Sequence, residues 1–210
     1  MIKVTLKDGS VKEFPAGISA YEAAKEISMG LARNACAAKI NGKNADLRDT
    51  LNEDCELEIL TFDDEDGKKA YWHTTSHIMA QAIKRLYKDV KLAIGPAIDG
   101  GFYYDFDTEY RFSEADFEKI EAEMKKIIKE DLPIERFELP RSEAIKLMKD
   151  AGEDYKVELI EDLPEGEVLS FYKQGEFTDL CAGPHLMSTG KVKCVKLLST
   201  SGAYWRGDEK

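Results

Sequence analysis

Histidine is scarce here, with three in 210 residues. Cysteine is nearly as rare. Cys36, Cys55, Cys181 and Cys194 form no dense framework, so a reduced chain is expected rather than a disulfide-stapled one. No apolar run approaches the ~20 residues of a membrane span. No basic leader followed by an apolar core opens the chain. These absences argue against a spanning or secretory protein, and a cytoplasmic location with no membrane partner is expected. Positive charge is also short: 30 Lys and Arg face 41 Asp and Glu, a net charge of −11 that does not advertise a nucleic-acid binder. Hydrophobic residues at 43% and charged residues at 34% describe an ordinary globular chain, long enough for one large domain or two small ones.

The few histidines are not scattered. His73 and His77 sit four apart, and His185 closes Cys181-Ala-Gly-Pro-His185. Every histidine therefore belongs to an H-x-x-x-H or a C-x-x-x-H pair. On a helix, residues i and i+4 lie one above the other. At about 100° per residue, His73 at zero puts His77 at about 40°, while Trp72, Met79, Ala82, Ile83 and Leu86 gather at roughly 180–280°. The histidines thus face away from the apolar stripe of Tyr71–Tyr87. Taken alone, such a pair is equally at home on a solvated helix face. The second pair shifts the balance, because Gly183 and Pro184 oppose a helix and point to a rigid turn that presents a thiol and an imidazole.

Residues 1–62 alternate as short strands. Ile2–Leu6 and Val11–Phe14 flank an Asp8-Gly9 turn. Ser19-Ala-Tyr-Glu22 is a capping box opening a helix that Gly30 should end. Strands are expected at Cys36–Ile40 and Cys55–Phe62, with an Asn41-Gly42 turn between them. Such an order points to a β-grasp, ubiquitin-like sheet over one helix, with no catalytic shape of its own. The charged run 63–69 reads as a connector marking a boundary, so two domains are expected, 1–62 and 63–210. In the second, helices are expected after Ser113, at Ser142–Lys149 and at Asp154–Glu161. Strands are expected at Ile134–Leu139, Val168–Tyr172, Phe177–Leu180, Val192–Leu198 and Ala203–Arg206. The whole reads as α+β, a small β-grasp domain followed by a larger domain with an antiparallel-rich sheet and flanking helices. The stretch from Lys191 to Arg206 has four basic residues and no acidic one, with Tyr204 and Trp205 near its end. It suits contact with a phosphate backbone or a base, and equally an alternating edge strand with solvated lysines.

Four stretches together resemble the N-terminal half of bacterial threonyl-tRNA synthetases. They are the H-x-x-x-H helix, Gly95-Pro-Ala-Ile-Asp-Gly-Gly-Phe-Tyr-Tyr-Asp105, Thr178-Asp-Leu-Cys-Ala-Gly-Pro-His185 and Ser201-Gly-Ala-Tyr-Trp-Arg-Gly-Asp208. The resemblance implies a TGS module followed by an editing domain that hydrolyses serine wrongly attached to threonine tRNA. It implies a fragment that edits without aminoacylating. The ligase core, with its ATP, magnesium and zinc and its homodimer contact, would then lie outside these residues. The expected partners are the 3′ end of threonine tRNA and serine as the edited amino acid.

A pocket built for threonine rejects serine by only about 1–3 kcal/mol, the worth of one methylene-sized difference, so hydrolysis at a second site must supply the rest. That site needs an activated water and a stabiliser for the oxyanion. The resemblance assigns catalytic places to His73, Lys156, His77, Cys181 and His185, and substrate-binding places to Tyr104, Asp179, Gly95 and Pro96. His73 is the expected general base or orienter of the ribose hydroxyl, and Lys156 the charge stabiliser. Tyr104 and Asp179 would hold the serine hydroxyl and amino group. No metal is expected on this reading. Three imidazoles and a thiol nevertheless form a respectable zinc set, so a zinc-dependent aminoacyl-tRNA hydrolase using His73, His77, Cys181 and His185 stays open. So does a non-catalytic RNA-binding module.

Overall fold

The computed structural model describes residues 1–205. Alternation in the first strand is realised as β1 (Ile2–Leu6), which buries Ile2 and Val4 and pairs antiparallel with β2 (Val11–Phe14). After β3 (Ile18–Ser19), the Ser19 hydroxyl accepts the Glu22 N–H at 3.1 Å and opens α1 (Ala20–Ile27). Gly30 does not end that helix. Ser28 turns extended, and its side chain caps a second helix, α2 (Met29–Asn34), so Gly30 lies inside it. Then follow β4 (Ala37–Ile40), β5 (Lys43–Ala45), β6 (Thr50–Leu51) and β7 (Cys55–Leu60). Asn41 and Gly42 both take positive φ in the turn between β4 and β5, the conformation that Asn-Gly favours. The main sheet runs β2-β1-β7-β4-β5, with β1 and β7 parallel. A parallel pair needs a long crossover, which the helical segment provides. This is the expected β-grasp.

The second part is built on α3 (Glu65–Leu86), followed by β8 (Lys91–Leu92), β9 (Ala97–Ile98), β10 (Gly101–Phe102) and β11 (Phe106–Asp107). Next come α4 (Phe117–Glu130), β12 (Ile134–Leu139), α5 (Arg141–Asp150), α6 (Asp154–Asp162), β13 (Leu169–Gln174) and β14 (Phe177–Leu180). β12, β13 and β14 form an antiparallel sheet, and β8 with β11 and β9 with β10 form two short antiparallel pairs. The fold class is α+β, as expected.

The charged run 63–69 is not a linker: α3 begins at Glu65, with Asp64 as its N-cap. Acidic residues there complement the positive end of the helix dipole, which a reading for hydrophobicity does not register. Gly67 explains how closely this first turn sits on β7, since a Cβ there would lie 1.9 Å from the Thr61 carbonyl oxygen. A helix-interior glycine costs about 1 kcal/mol against alanine; here only glycine fits. The first part and α3 consequently share a core, with Cys36, Ala37 and Leu60 packed in one cluster with Ala70 and Ile78.

Residues 192–198 are not a strand. Their alternation is real, with Val192 buried and Val195 and Leu197 packed on the core. Their N–H groups, however, find side chains instead of a neighbouring strand: Lys193 donates to the Tyr71 hydroxyl at 2.6 Å and Leu197 to Glu121 Oε1 at 2.9 Å. Ala203 and Tyr204 are likewise irregular, and Arg206 lies outside the described residues. No helix among the described residues is long and apolar enough to cross a membrane.

Candidate active site

α3 carries His73 and His77 toward β14 and the turn that follows it. The face opposite the apolar stripe is not solvated. His77 is 2% exposed, and the residues from Thr74 to Ile83 are all buried. The Cys181–His185 turn is pinned to β13 by Cys181 N–H to the Ser170 carbonyl (3.0 Å) and by the Ser170 hydroxyl to the Cys181 carbonyl (2.6 Å). Gly183 takes φ +74°, and a Cβ there would meet the Tyr172 hydroxyl at 2.1 Å. Glycine is therefore required twice over at that position.

The turn brings all four expected side chains together. The ligand atoms of His73, His77, Cys181 and His185 lie within 4.8 Å of one another. Cys181 Sγ is 3.2 Å from His73 Nε2 and 3.2 Å from His185 Nε2, and it accepts the Gly183 N–H. His185 Nδ1 is 2.9 Å from the Thr74 hydroxyl, whose oxygen also accepts the Leu186 N–H at 3.0 Å. That hydroxyl is free to donate its own proton to Nδ1, which leaves the imidazole proton on Nε2, facing the sulfur.

Beside them lies Asp179, buried on β14. Its Oδ2 accepts the Tyr104 hydroxyl at 2.6 Å and faces His77 Nε2 at 3.4 Å. Lys156 of α6, also buried, places Nζ 2.9 Å from Oδ1. That contact is a buried ion pair. His77 Nδ1 is buried without a partner. Gly95 lies under the Tyr104 ring, where a Cβ would come within 2.0 Å of it. Pro96 leads into the β9–β10 hairpin, where its carbonyl accepts the Tyr103 N–H at 3.4 Å, outside the cluster.

Burial dominates the protonation states. It lowers His73 to about 4 and His77 to about 3, with Asp179 opposing both shifts, and it drives His185 well below the usual imidazole range. All three imidazoles are neutral at pH 7. Burial and then Asp179 push the Cys181 thiol up to about 12, which leaves it protonated and a poor nucleophile. For Asp179 burial opposes ionisation, but Lys156, His77 and Tyr104 outweigh it and hold the carboxyl below its ordinary value. The arrangement therefore offers neutral imidazoles, a buried carboxylate and a buried lysine side by side. A cleft of about 1030 Å³ opens elsewhere. It follows the Trp72–Met79–Ile83 face of α3 and shares only Tyr104 with this group.

Sequence reasoning missed Asp46, Arg48, Thr74 and Tyr172. Asp46 Oδ2 accepts the Tyr172 hydroxyl at 2.6 Å and the His185 N–H at 3.2 Å, so the first domain reaches the site. Its only local signal is the Asx turn in which Asp46 Oδ1 accepts the Arg48 N–H at 2.9 Å, and such turns are common.

The β-grasp unit and the region that carries Cys181 and His185 are each similar to a known domain. Residues 2–61 match the TGS domain, and residues 169–210 match the threonyl and alanyl tRNA synthetase second additional domain. Over its whole length the chain is related to the N-terminal region of bacterial threonine–tRNA ligases. It is 68% identical to that of Caldanaerobacter subterraneus subsp. tengcongensis over 207 residues, 99% of this chain and 32% of the relative. Identity is 67% with the enzyme of Acetivibrio thermocellus and 66% with that of Clostridium tetani, each covering 100% of this chain and 33% of the relative. The chain thus spans about a third of the length of the curated relatives it matches. His73 and His77 lie outside both matched domain intervals but within the relatives' aligned length.

Proposed function

We propose that the chain hydrolyses the ester joining serine to the 3′-terminal ribose of threonine tRNA, as the editing part of a threonine–tRNA ligase. The observation that carries this reading is the incompletely paired group around Asp179. His77 Nδ1 is buried with no hydrogen-bond partner, and Asp179 Oδ1 is met only by Lys156 Nζ at 2.9 Å; a buried polar atom without a partner calls for a water or a ligand. On this reading Tyr104 and Asp179 hold the serine hydroxyl and amino group. The neutral His73 imidazole takes a proton from the attacking water or orients the ribose hydroxyl, and Lys156 faces the negative charge that builds on the ester oxygen. Water attacks the ester carbonyl, the tetrahedral intermediate collapses, and the ribose hydroxyl leaves as free serine departs. The ester is labile, so a Cys181 acyl-enzyme gains little, and the protonated thiol weighs against one. Its location would be the cytoplasm. Residues 1–62 serve as the tRNA-facing TGS unit and 63–210 as the editing unit.

One observation favours a second reading. His77 Nε2 lies on Asp179 while Nδ1 is unpaired, the carboxylate–histidine arrangement that orients metal ligands. His73, His77, Cys181 and His185 fit a tetrahedral zinc set. When bound, zinc polarises a ligated water or carbonyl. Four protein ligands, however, close the coordination shell and leave no position for water, the pattern of structural rather than catalytic zinc. Metal-free hydrolysis is therefore the better-supported reading. The test is single-turnover hydrolysis of seryl-threonine tRNA, first with chelator and then with added zinc. Activity that persists in chelator supports the metal-free site; activity that appears only with zinc overturns it.

A further inference from the structure

The loop between β5 and β6 belongs to the first domain, yet two of its charged residues, Asp46 and Arg48, grip the turn that carries His185. Arg48 uses its whole guanidinium there. Nε donates to the Ile134 carbonyl at 2.9 Å, and Nη1 to Asp46 Oδ1 (2.8 Å) and the His185 carbonyl (3.1 Å). Nη2 donates to the carbonyls of Ile134 (2.5 Å) and Leu186 (2.7 Å). A guanidinium has five donors in a fixed fork, and all are matched. Asp46 is equally complete: Oδ1 takes the Arg48 N–H and Nη1, and Oδ2 takes the Tyr172 hydroxyl and the His185 N–H. His185 is thus held at its N–H by Asp46, at its carbonyl by Arg48 and at Nδ1 by Thr74. Only Nε2 is left to face Cys181. Packing alone would not require this: residues 46–48 could close the β-grasp core with Leu47, which is fully buried in it, without two charges crossing to the other domain.

We infer that Asp46 and Arg48 are positioning residues for the hydrolytic site, setting the place and ring orientation of His185 from the first domain. This rests on the proposed hydrolysis, because the clamp has a catalytic meaning only if the site reacts. A displacement near 1 Å in a reacting group costs about 100-fold in rate, so the rate should register a loosened clamp.

The experiment uses the 210-residue chain with ¹⁵N-labelled histidine, comparing wild type, Asp46→Asn and Tyr172→Phe. Imidazole nitrogen shifts report the His185 tautomer and environment, kcat and KM are measured on seryl-threonine tRNA, and the unfolding midpoint is the control. The expected result is a moved His185 signal in Asp46→Asn, with kcat reduced about 10- to 100-fold and KM little changed. Tyr172→Phe, which loses one bond to Asp46 and keeps the ring, should move the same signal less and cut kcat a few-fold. It decides the matter if Asp46→Asn does not fold. Unmoved His185 signals in a folded variant overturn the inference, as does a kcat loss that only follows the fraction unfolded. A wild-type chain that leaves the ester intact defeats the proposed function alone, and the imidazole signals then still decide whether the clamp sets His185.

Discussion

Two buried carboxylates stand near His185, and they are built differently. Asp46 is closed: both oxygens are filled by donors from Arg48, Tyr172 and the His185 backbone. Asp179 is less complete: Oδ2 holds Tyr104, while Oδ1 meets only Lys156, at 2.9 Å. A satisfied network rigidifies, whereas a partly satisfied one leaves room for a ligand or water at a cost in stability. Variants of the closed group should therefore lose stability first, and variants of the less complete group should lose chemistry first.

The largest effect is expected from breaking the closed side. Asp46→Ala strips the partner of a half-buried guanidinium and leaves the Tyr172 hydroxyl and His185 N–H unmatched, and should destabilise the chain by about 3 kcal/mol, measured by urea unfolding. On the less complete side, His73→Ala should lower the single-turnover rate about 10²- to 10⁴-fold, the usual worth of a general acid–base group, while the unfolding midpoint moves little. An unchanged rate would instead point to a non-catalytic binding module.

Acid should sharpen the contrast. Unfolded histidines titrate near 6.5, whereas burial lowers folded His73 to about 4 and His77 to about 3. Between those values the unfolded chain takes up protons that the folded chain refuses. Stability present above pH 6.5 is then lost as pH falls toward 4, with a slope of at most about 1.4 kcal/mol per pH unit for each such imidazole. Urea unfolding at pH 7, 5.5 and 4.5 measures it, and replacing His73 should flatten the curve. The smallest effect is expected from Gly95→Ala. Its new Cβ would displace the Tyr104 ring and loosen the hydroxyl from Asp179, so KM for the seryl ester should rise about 10-fold, the cost of one hydrogen bond to a charged group.

Much of this was legible in the residues. Alternation with Asp8-Gly9 and Asn41-Gly42 turns gave the β-grasp strands, and the pairing of three histidines with one cysteine located the cluster. Local patterns failed where tertiary contacts decide. The apolar alternation of residues 192–198 looks like a strand, yet it packs on helices and satisfies its backbone through Tyr71 and Glu121. Run 63–69 lacks hydrophobic residues, yet it opens α3 and packs on β7 through Gly67, whose missing side chain lets the helix meet the Thr61 carbonyl. The helical wheel correctly turned His73 and His77 away from the apolar stripe. It could not show that β14 and the Cys181 turn would bury that second face. Asp46 and Arg48 were invisible for the same reason: their partners lie more than 80 residues away in sequence.

The most direct test of the account is the ratio of hydrolysis rates for seryl- and threonyl-threonine tRNA, measured under single turnover with chelator present. The proposed editing reaction predicts rapid loss of the seryl ester and a threonyl ester that outlasts it by at least about tenfold, the worth of one excluded methyl. Equal rates for the two esters, or none for either while the chain binds a non-hydrolysable seryl-adenosine, would contradict it.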